Sequence, residues 1–339
     1  SPKDIKRLIH FALNHQTNLI PRGAGTSLAG QVVGDGISME IGSAMSKIIL
    51  LNKKDKSVWV EPGIIRDDLN TELKNAGLFF GPETSTANRA LLGGMLGNNS
   101  CGLHSIVWGN VRDHLVETRA ILADGSEIHT HPLSNEEFYK KTTLHNLEGK
   151  IYKELHRILN NPDVQENIKK SFPKSDIKRR NSGYALDALI EMQPFNPAGK
   201  PFNLSALFAG SEGTLAVVHA MKVHLLDLPE PHVNLLCIHC ESIQDALQAN
   251  LIALSFEPTA SELVDDFILS FTIQHPNFEA LRDFIEGNPA AILMVEFRGQ
   301  HAMEVNQKIQ NCIQALQKAK IGYSFPVLDA ENMYKGWDI

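Results

Sequence analysis

The sequence predicts an α+β chain of two domains, residues 1–228 and 229–339, and three observations carry that expectation. Its 339 residues, 43% of them hydrophobic, exceed what one core usually organises, since single cores rarely grow past about 250 to 300 residues. Leu228-Pro229-Glu230-Pro231 places two prolines where the pattern of the first part stops. Strand-like and helix-like runs come in mixed order before that point, and as two successive βαβ units after it.

Ser1-Pro2 supplies an N-cap and a proline at the first helical position, and Ile5, Leu8, Ile9, Ala12 and Leu13 follow at helical spacing. Residues 18–21 read as a short buried strand running into RGAGTSLAG at 22–30. Residues 37–41 and 58–61 are strand-like, the second ended by Pro62-Gly63. Leu69, Leu73 and Ala76 mark a helix closed by Gly77. Two more glycine-rich stretches, GGMLGNNSCG at 93–102 and GSEGTL at 210–215, read as loops. Between them 151–159 is helical and 181–189 starts with turn chemistry; 216–226 is a strand. Beyond the boundary come a strand at 233–240 and a helix at 243–254 with Ile243, Ala246, Leu247, Asn250 and Leu251 in register. Strands at 260–264 and 290–297, a helix at 305–319 and a strand at 323–328 complete the set. This order predicts a ferredoxin-like sheet with helices on one face.

Composition narrows the function. A net charge of −7 with scattered Lys and Arg gives no basic surface for nucleic acid. No apolar run approaches the roughly 18 to 20 residues of a membrane helix, and the first residues lack a signal-peptide pattern, so a cytoplasmic chain is expected. Four cysteines are too few for a disulfide framework. Cys237 and Cys240 form a CxxC inside a strand-like run, where positions three apart point to opposite faces, and are expected to be two reduced thiols.

Glycine placed repeatedly after strands lets backbone approach a ligand closely, most often a phosphate held by NH groups. The dinucleotide fingerprint GxGxxG fails because Leu28 follows Gly23 and Gly25 at the third place. Gly25 to Gly30 has P-loop spacing, but Gln31-Val32 replaces the Lys-Ser/Thr pair. Neither a Rossmann NAD site nor an NTPase is supported. Several separate loops sharing one long, doubly charged ligand remain.

RGAGTSLAG at 22–30, PETSTANRALLGGMLGNNSCG at 82–102, WGNVRDHL with ADGS within 108–126, and AGSEGTLAVV at 209–218 resemble, in order and spacing, the four signature segments of FAD-linked flavoproteins of the vanillyl-alcohol oxidase type. RRNSGYALD at 179–187 further resembles the D-lactate, glycolate and D-2-hydroxyglutarate dehydrogenase branch, above all the flavin part of large FAD plus iron-sulfur oxidoreductases. The resemblance spans nearly the whole chain. It implies a two-subdomain FAD-binding domain at 1–228, and a ferredoxin-like substrate cap at 229–339 that is incomplete.

It also implies site residues. Arg22, Gly23, Ala24, Gly25, Thr26, Ser27 and Gly30 would wrap the FAD pyrophosphate; Pro82, Thr84 and Ser85 would shape the approach to the phosphates. Gly93, Gly94, Asn98 and Gly102 would line the cofactor's second side, and Gly210, Ser211, Gly213 and Thr214 would approach the flavin. Glu212 is read as anchoring its own turn and is left out. Thr26 stands where several members carry a linking His, so FAD is expected to be non-covalent, without a thioether from Cys101; His104 is read as structural. Asn181 and Tyr184 are candidate substrate-side residues, with a turn-stabilising Asn and a packed Tyr as the alternative.

The resembled enzymes pass the substrate Cα hydrogen to the flavin as hydride and the hydroxyl proton to a base, while an arginine holds the carboxylate. The arginine-bearing segment is expected beyond residue 339. The 14 histidines include no HxxxH or HExxH pair, so no metal is expected. Expected partners are a small 2-hydroxy acid and an electron acceptor, an iron-sulfur domain or a quinone chain, with any cluster held outside these residues and peripheral inner-membrane association left open. The alternatives are a flavin-dependent reductase of a nucleotide sugar and a non-catalytic nucleotide-binding module.

Overall fold

Helix α1, Pro2–Asn14, starts at the Ser1 N-cap, where Asp4 closes a capping box, and buries Ile5, Ile9 and Ala12 while Leu13 stays exposed. The computed structural model describes residues 1–174, 176–177, 179–180, 183–273 and 275–339, which divide into two units, Ser1–Leu228 and Pro229–Ile339.

In the first unit β1, Leu19–Arg22, pairs in parallel with β2, Ile37–Glu40. The expected buried strand at 18–21 is therefore half-buried, because a two-stranded pair has little to cover it. Then follow β3, Ile48–Asn52; β4, Ser57–Val60; α2, Arg66–Lys74; β5, Leu78–Phe79; α3, Leu92–Asn98; α4, Ser105–Trp108; α5, Val111–His114; β6, Leu115–Ile121; and β7, Glu127–Thr130. Helices α6, Asn135–Thr142; α7, Leu147–Leu159; α8, Pro162–Ser171; α9, Leu186–Ile190; and α10, Ser205–Phe208 precede β8, Val217–His224, and β9, Leu226–Asp227.

The main sheet has the order β3-β4-β8-β6-β7 with every pairing antiparallel. Alternation gives it one packed and one wet face. Val58, Val60, Met221, Val223, Ala120 and Ile128 enter two hydrophobic clusters with α2, α3 and the α6–α10 helices. Glu117 meets Lys222 and His129 at 3.0 and 2.8 Å on the other face, and Arg119 lies 4.7 Å over the Trp59 ring. At one end of the sheet α1 packs Ile5 and Ile9 with Ile121 and Val217.

One expectation changes here. Residues 93–98, read as loop, are helical. Glycine costs about 1 kcal/mol per helical position relative to alanine, so local preference does not build α3. Leu92, Met95 and Leu96 do, by burying one face in the first unit's core. The three glycines let neighbours come close: a Cβ on Gly93 would sit 2.6 Å from Pro62 Cβ, Gly94 faces Gly23, and a Cβ on Gly97 would meet Glu212 Cα at 3.6 Å.

The second unit contains β10, His232–Cys240; α11, Ile243–Leu254; β11, Ala260–Asp265; α12, Asp266–Ile273; β12, Ala291–Gly299; α13, Ala302–Ala319; β13, Val327–Leu328; and α14, Tyr334–Trp337. Its antiparallel sheet runs β11-β12-β10-β13, the ferredoxin-like order of a split βαβ pair. The strand expected at 323–328 narrows to two residues, with a bridge from Ser324 to His239. Helices α11 and α13 pack one face as expected, and the other is also covered: Leu269 and Phe284 bury against it, with Trp337 packed alongside.

Helix α11 also turns a different face inward. Ala246, Ala249 and Ala253 are fully buried, whereas Leu247 and Leu251 are 50% and 64% exposed. A small-residue face lets helix and sheet approach, and of the expected register only Ala246 belongs to it. Cys237 and Cys240 belong to clusters on opposite sides of the sheet. Burial pushes their thiols up to about 12 and about 11, so both stay protonated near neutrality.

Candidate functional site

Segments 21–32, 84–100 and 208–218, with Ile41 and Pro62, meet around one cleft of about 530 Å3 in the first unit. β1 delivers Arg22 to its rim. The chain then turns through Gly25, at φ +69°, where a Cβ would lie 3.0 Å from Arg22 Nη2. α3 forms a second wall of nearly bare backbone. The third segment turns at Gly213, φ +76°, and at Glu212, whose φ of +52° is rare for a residue with a side chain.

Two backbone bonds join the second and third walls: Gly210 N–H donates to Leu96 O and Glu212 N–H to Gly97 O, each at 3.0 Å. Leu96 O also accepts from the cap Asn99 N–H at 3.0 Å, while the bond from Glu212 serves a carbonyl in the last turn of α3, where helical donors run out. Across the cleft, the Gln31 amide nitrogen donates to Glu212 Oε1 at 3.1 Å and ties the first segment to the third.

Of the expected residues, Arg22, Gly23, Ala24, Gly25, Thr26, Ser27, Thr84, Ser85, Gly93, Gly94, Asn98, Ser211 and Gly213 line this cleft. Gly30, Pro82, Gly102, Gly210 and Thr214 do not. Gly30 is a left-handed turn at φ +76°, and Pro82 O accepts from Arg66 Nε at 3.1 Å. Gly102 lies on Glu83, where a Cβ would come 2.3 Å from Glu83 Cγ, and Gly210 lies on Arg112. Thr214 donates to Ser211 O at 2.6 Å and is joined at 2.8 Å by Tyr184 Oη. With the Thr214 proton committed, Tyr184 is the donor in that pair. Asn181 lies outside the described residues.

Sequence reasoning missed Gln31, Gly97 and Glu212 in the cleft lining. Gly97 had a signal: it stands four residues from Gly93 and three from Gly94, one face of a helix. Glu212 both holds its turn and faces the cleft. Gln31 had none, because its role depends on the far-off Glu212.

Glu83, beneath the second segment, accepts at Oε1 from His104 N–H at 2.9 Å and lies 2.6 Å from His104 Nδ1. Burial by itself would raise the Glu83 carboxyl; the hydrogen bonds and charge of His104, with Arg66, outweigh it and hold the group below the usual carboxylate range. His104 stacks on Trp108 with ring centroids 4.1 Å apart. Cys101 is half-buried and does not line the cleft.

The donor set fits a long anionic ligand. Among the described residues the Arg22 guanidinium makes no ion pair or hydrogen bond, leaving a cation at the mouth. Thr26, Ser27, Thr84 and Ser85 add hydroxyls, and Gly23, Gly25, Gly93 and Gly94 add backbone without side chains. Gln31 lines the cleft, and among the described residues its Oε1 is a buried acceptor with no hydrogen-bond partner. Among the described residues no group of three or more His, Cys, Asp or Glu is placed to hold a metal, and no helix is long and apolar enough to cross a membrane.

Such a cleft, built from loops and a bare helix instead of a Rossmann turn, suits a long anionic cofactor, and residues 1–131 match the family described as FAD binding domain. A D-2-hydroxyglutarate dehydrogenase of Pseudomonas putida is 33% identical over 306 residues, covering 89% of this chain and 29% of that protein. The enzyme of the same description from Escherichia coli is 31% identical over 293 residues, covering 85% and 28%. Glycolate oxidase subunit GlcD of Bacillus subtilis is 25% identical over 303 residues, covering 87% and 49%. The chain thus spans less than a third of the length of the D-2-hydroxyglutarate dehydrogenases it matches. A solved alkyldihydroxyacetonephosphate synthase shares the fold, with a TM-score of 0.63 at 17% identity over 99% of this chain and 52% of that one.

Proposed function

We propose that the chain is the FAD-binding domain, 1–228, and substrate cap domain, 229–339, of an FAD-dependent dehydrogenase that converts a small D-2-hydroxy acid to the 2-oxo acid. The observation that supports this best is the cleft itself, where the Arg22 guanidinium, bare glycine backbone and hydroxyl donors converge. The curated relatives named D-2-hydroxyglutarate dehydrogenase make that dicarboxylate the expected substrate.

Bound in the cleft, FAD supplies the acceptor for the hydride leaving the substrate Cα. Arg22 offsets diphosphate charge, and the 23–27 backbone with the Thr26 and Ser27 hydroxyls donates hydrogen bonds. Thr26 forms no covalent link to FAD, so retention rests on these contacts. Gly93, Gly94 and Gly97 hold the wall of α3 clear of side chains. Tyr184, through Thr214, steadies the third segment from the substrate side, with Asn181 near it in sequence. The acceptor that would reoxidise the cofactor is of iron-sulfur or quinone type.

The test is anaerobic mixing of the FAD-loaded protein, expressed from its whole gene, with D-2-hydroxyglutarate, D-lactate and glycolate while the visible flavin band is followed. Rapid bleaching by D-2-hydroxyglutarate, and not by its L enantiomer, is expected. A flavin that stays oxidised with all three substrates overturns the assignment.

A further inference from the structure

The cleft has a support that none of its lining residues provides. Arg112, in α5, does not line the cleft, yet it holds three points behind it. Its backbone N–H donates to Asn99 Oδ1 at 2.8 Å, its Nη2 to Ala209 O at 2.6 Å and its Nε to Ala206 O at 3.3 Å. Asn99 is the left-handed C-cap of α3, fully buried at φ +49°, and Ala209 immediately precedes the third glycine segment. The guanidinium therefore sits behind the joint where α3 ends and the 210–214 segment begins.

We infer that Arg112 is the positioning residue of the flavin cleft, fixing the third glycine segment against the end of α3 so that Ser211, Glu212 and Gly213 face the ligand. The inference rests on the FAD reading above. It gives a role to the WGNVRDHL segment, which lines no part of the cleft.

The geometry demands a guanidinium. Carbonyls three residues apart in the chain accept from two nitrogens of one planar fork, which fixes both donors in one geometry, whereas an ammonium is a point charge on a flexible stem. Nor is there room to spare: a Cβ on Gly210 would stand 3.1 Å from Arg112 Nη2 and 3.6 Å from Asn99 Cβ. Truncating Arg112 would leave the Ala206 and Ala209 carbonyls without this donor and free the segment to shift. The bonds from Gly210 N–H to Leu96 O and from Glu212 N–H to Gly97 O would then lose their alignment.

The test titrates apo-protein with FAD, following flavin fluorescence and visible circular dichroism, for the unmodified protein, Arg112→Lys, Arg112→Ala and the surface control Arg119→Ala. Expected is an FAD dissociation constant raised about 10- to 100-fold in both Arg112 variants, with an altered visible dichroism, and no change in the control. Added guanidinium chloride at low millimolar concentration should recover affinity in Arg112→Ala, whereas methylammonium of equal charge should not. Wild-type affinity and dichroism in Arg112→Lys and Arg112→Ala overturn the inference alone. So does weakened binding that guanidinium does not recover and that tracks a loss of far-ultraviolet signal, since that reports general destabilisation. Failure of the unmodified protein to bind FAD overturns the FAD reading as well.

Discussion

Helices α3 and α11 are both built on small residues, and they use them for different ends. In α11 the alanines at 246, 249 and 253 are fully buried and bring the helix down onto a sheet. In α3 the glycines at 93, 94 and 97 bring a proline loop, the first glycine segment and Glu212 to the helix, and all three line the cleft. Alanine gains helix propensity and packs its methyl; glycine gives up about 1 kcal/mol per position for access to backbone. The lesson is that smallness alone does not mark a ligand wall. Packing against Pro62 demands glycine at 93, but at 94 a Cβ would have 4.0 Å to its nearest neighbour, and there the marker is smallness at a helix-propensity cost that packing does not require.

Substitutions can break this contrast. The largest effect is expected for Gly93→Val, because its Cβ would stand 2.6 Å from Pro62 Cβ and 3.0 Å from Pro62 O. Denaturant unfolding should show a loss of about 3 kcal/mol, accompanied by loss of bound FAD. Gly94→Ala separates the two roles. Its nearest neighbour would be Gly23 Cα at 4.0 Å, an ordinary contact, so the apo-protein should gain about 1 kcal/mol while FAD affinity falls about tenfold or more. A variant that gains stability and keeps full affinity would show that this stretch of backbone does not meet the ligand.

Ala249→Gly makes the reverse change in α11. It should cost about 1 to 2 kcal/mol, from propensity and one lost buried methyl, and leave FAD affinity alone. Glu83→Gln tests the footing of the second segment by pH. Since the folded carboxyl titrates below its unfolded value, its contribution to stability is complete above that value, about 4.3, and disappears as pH falls through the folded one. The stability gap between Glu83→Gln and the unmodified protein should therefore narrow on acidification below about pH 4.3. The smallest effect belongs to Leu251→Gln on the exposed side of α11, where thermal unfolding should report a change within about 0.5 kcal/mol.

What could be read from the sequence follows the same division. Glycine after strands, in RGAGTSLAG and GSEGTL, signals turns that local chemistry dictates, and positive φ at Gly25 and Gly213 is what such segments are for. The helical state of 92–98 was not legible, because three glycines argue against a helix that only the burial of Leu92, Met95 and Leu96 sustains. The inward face of α11 was hidden for a related reason. Its leucines and its alanines both recur at helical spacing, and periodicity does not say how closely the sheet will approach. Arg112 and Gln31 were legible least of all. Each acts through a partner about a hundred or more residues away, Ala209 and Glu212, that no local pattern announces.

The measurement that bears most directly on the cleft is acid precipitation of the purified protein, followed by absorbance and mass analysis of supernatant and pellet. One FAD per chain, recovered in the supernatant, is the expected result. Flavin that stays with the pellet would contradict non-covalent binding through Arg22, the glycine segments and their hydroxyls, and protein that carries and takes up no flavin would contradict the site altogether.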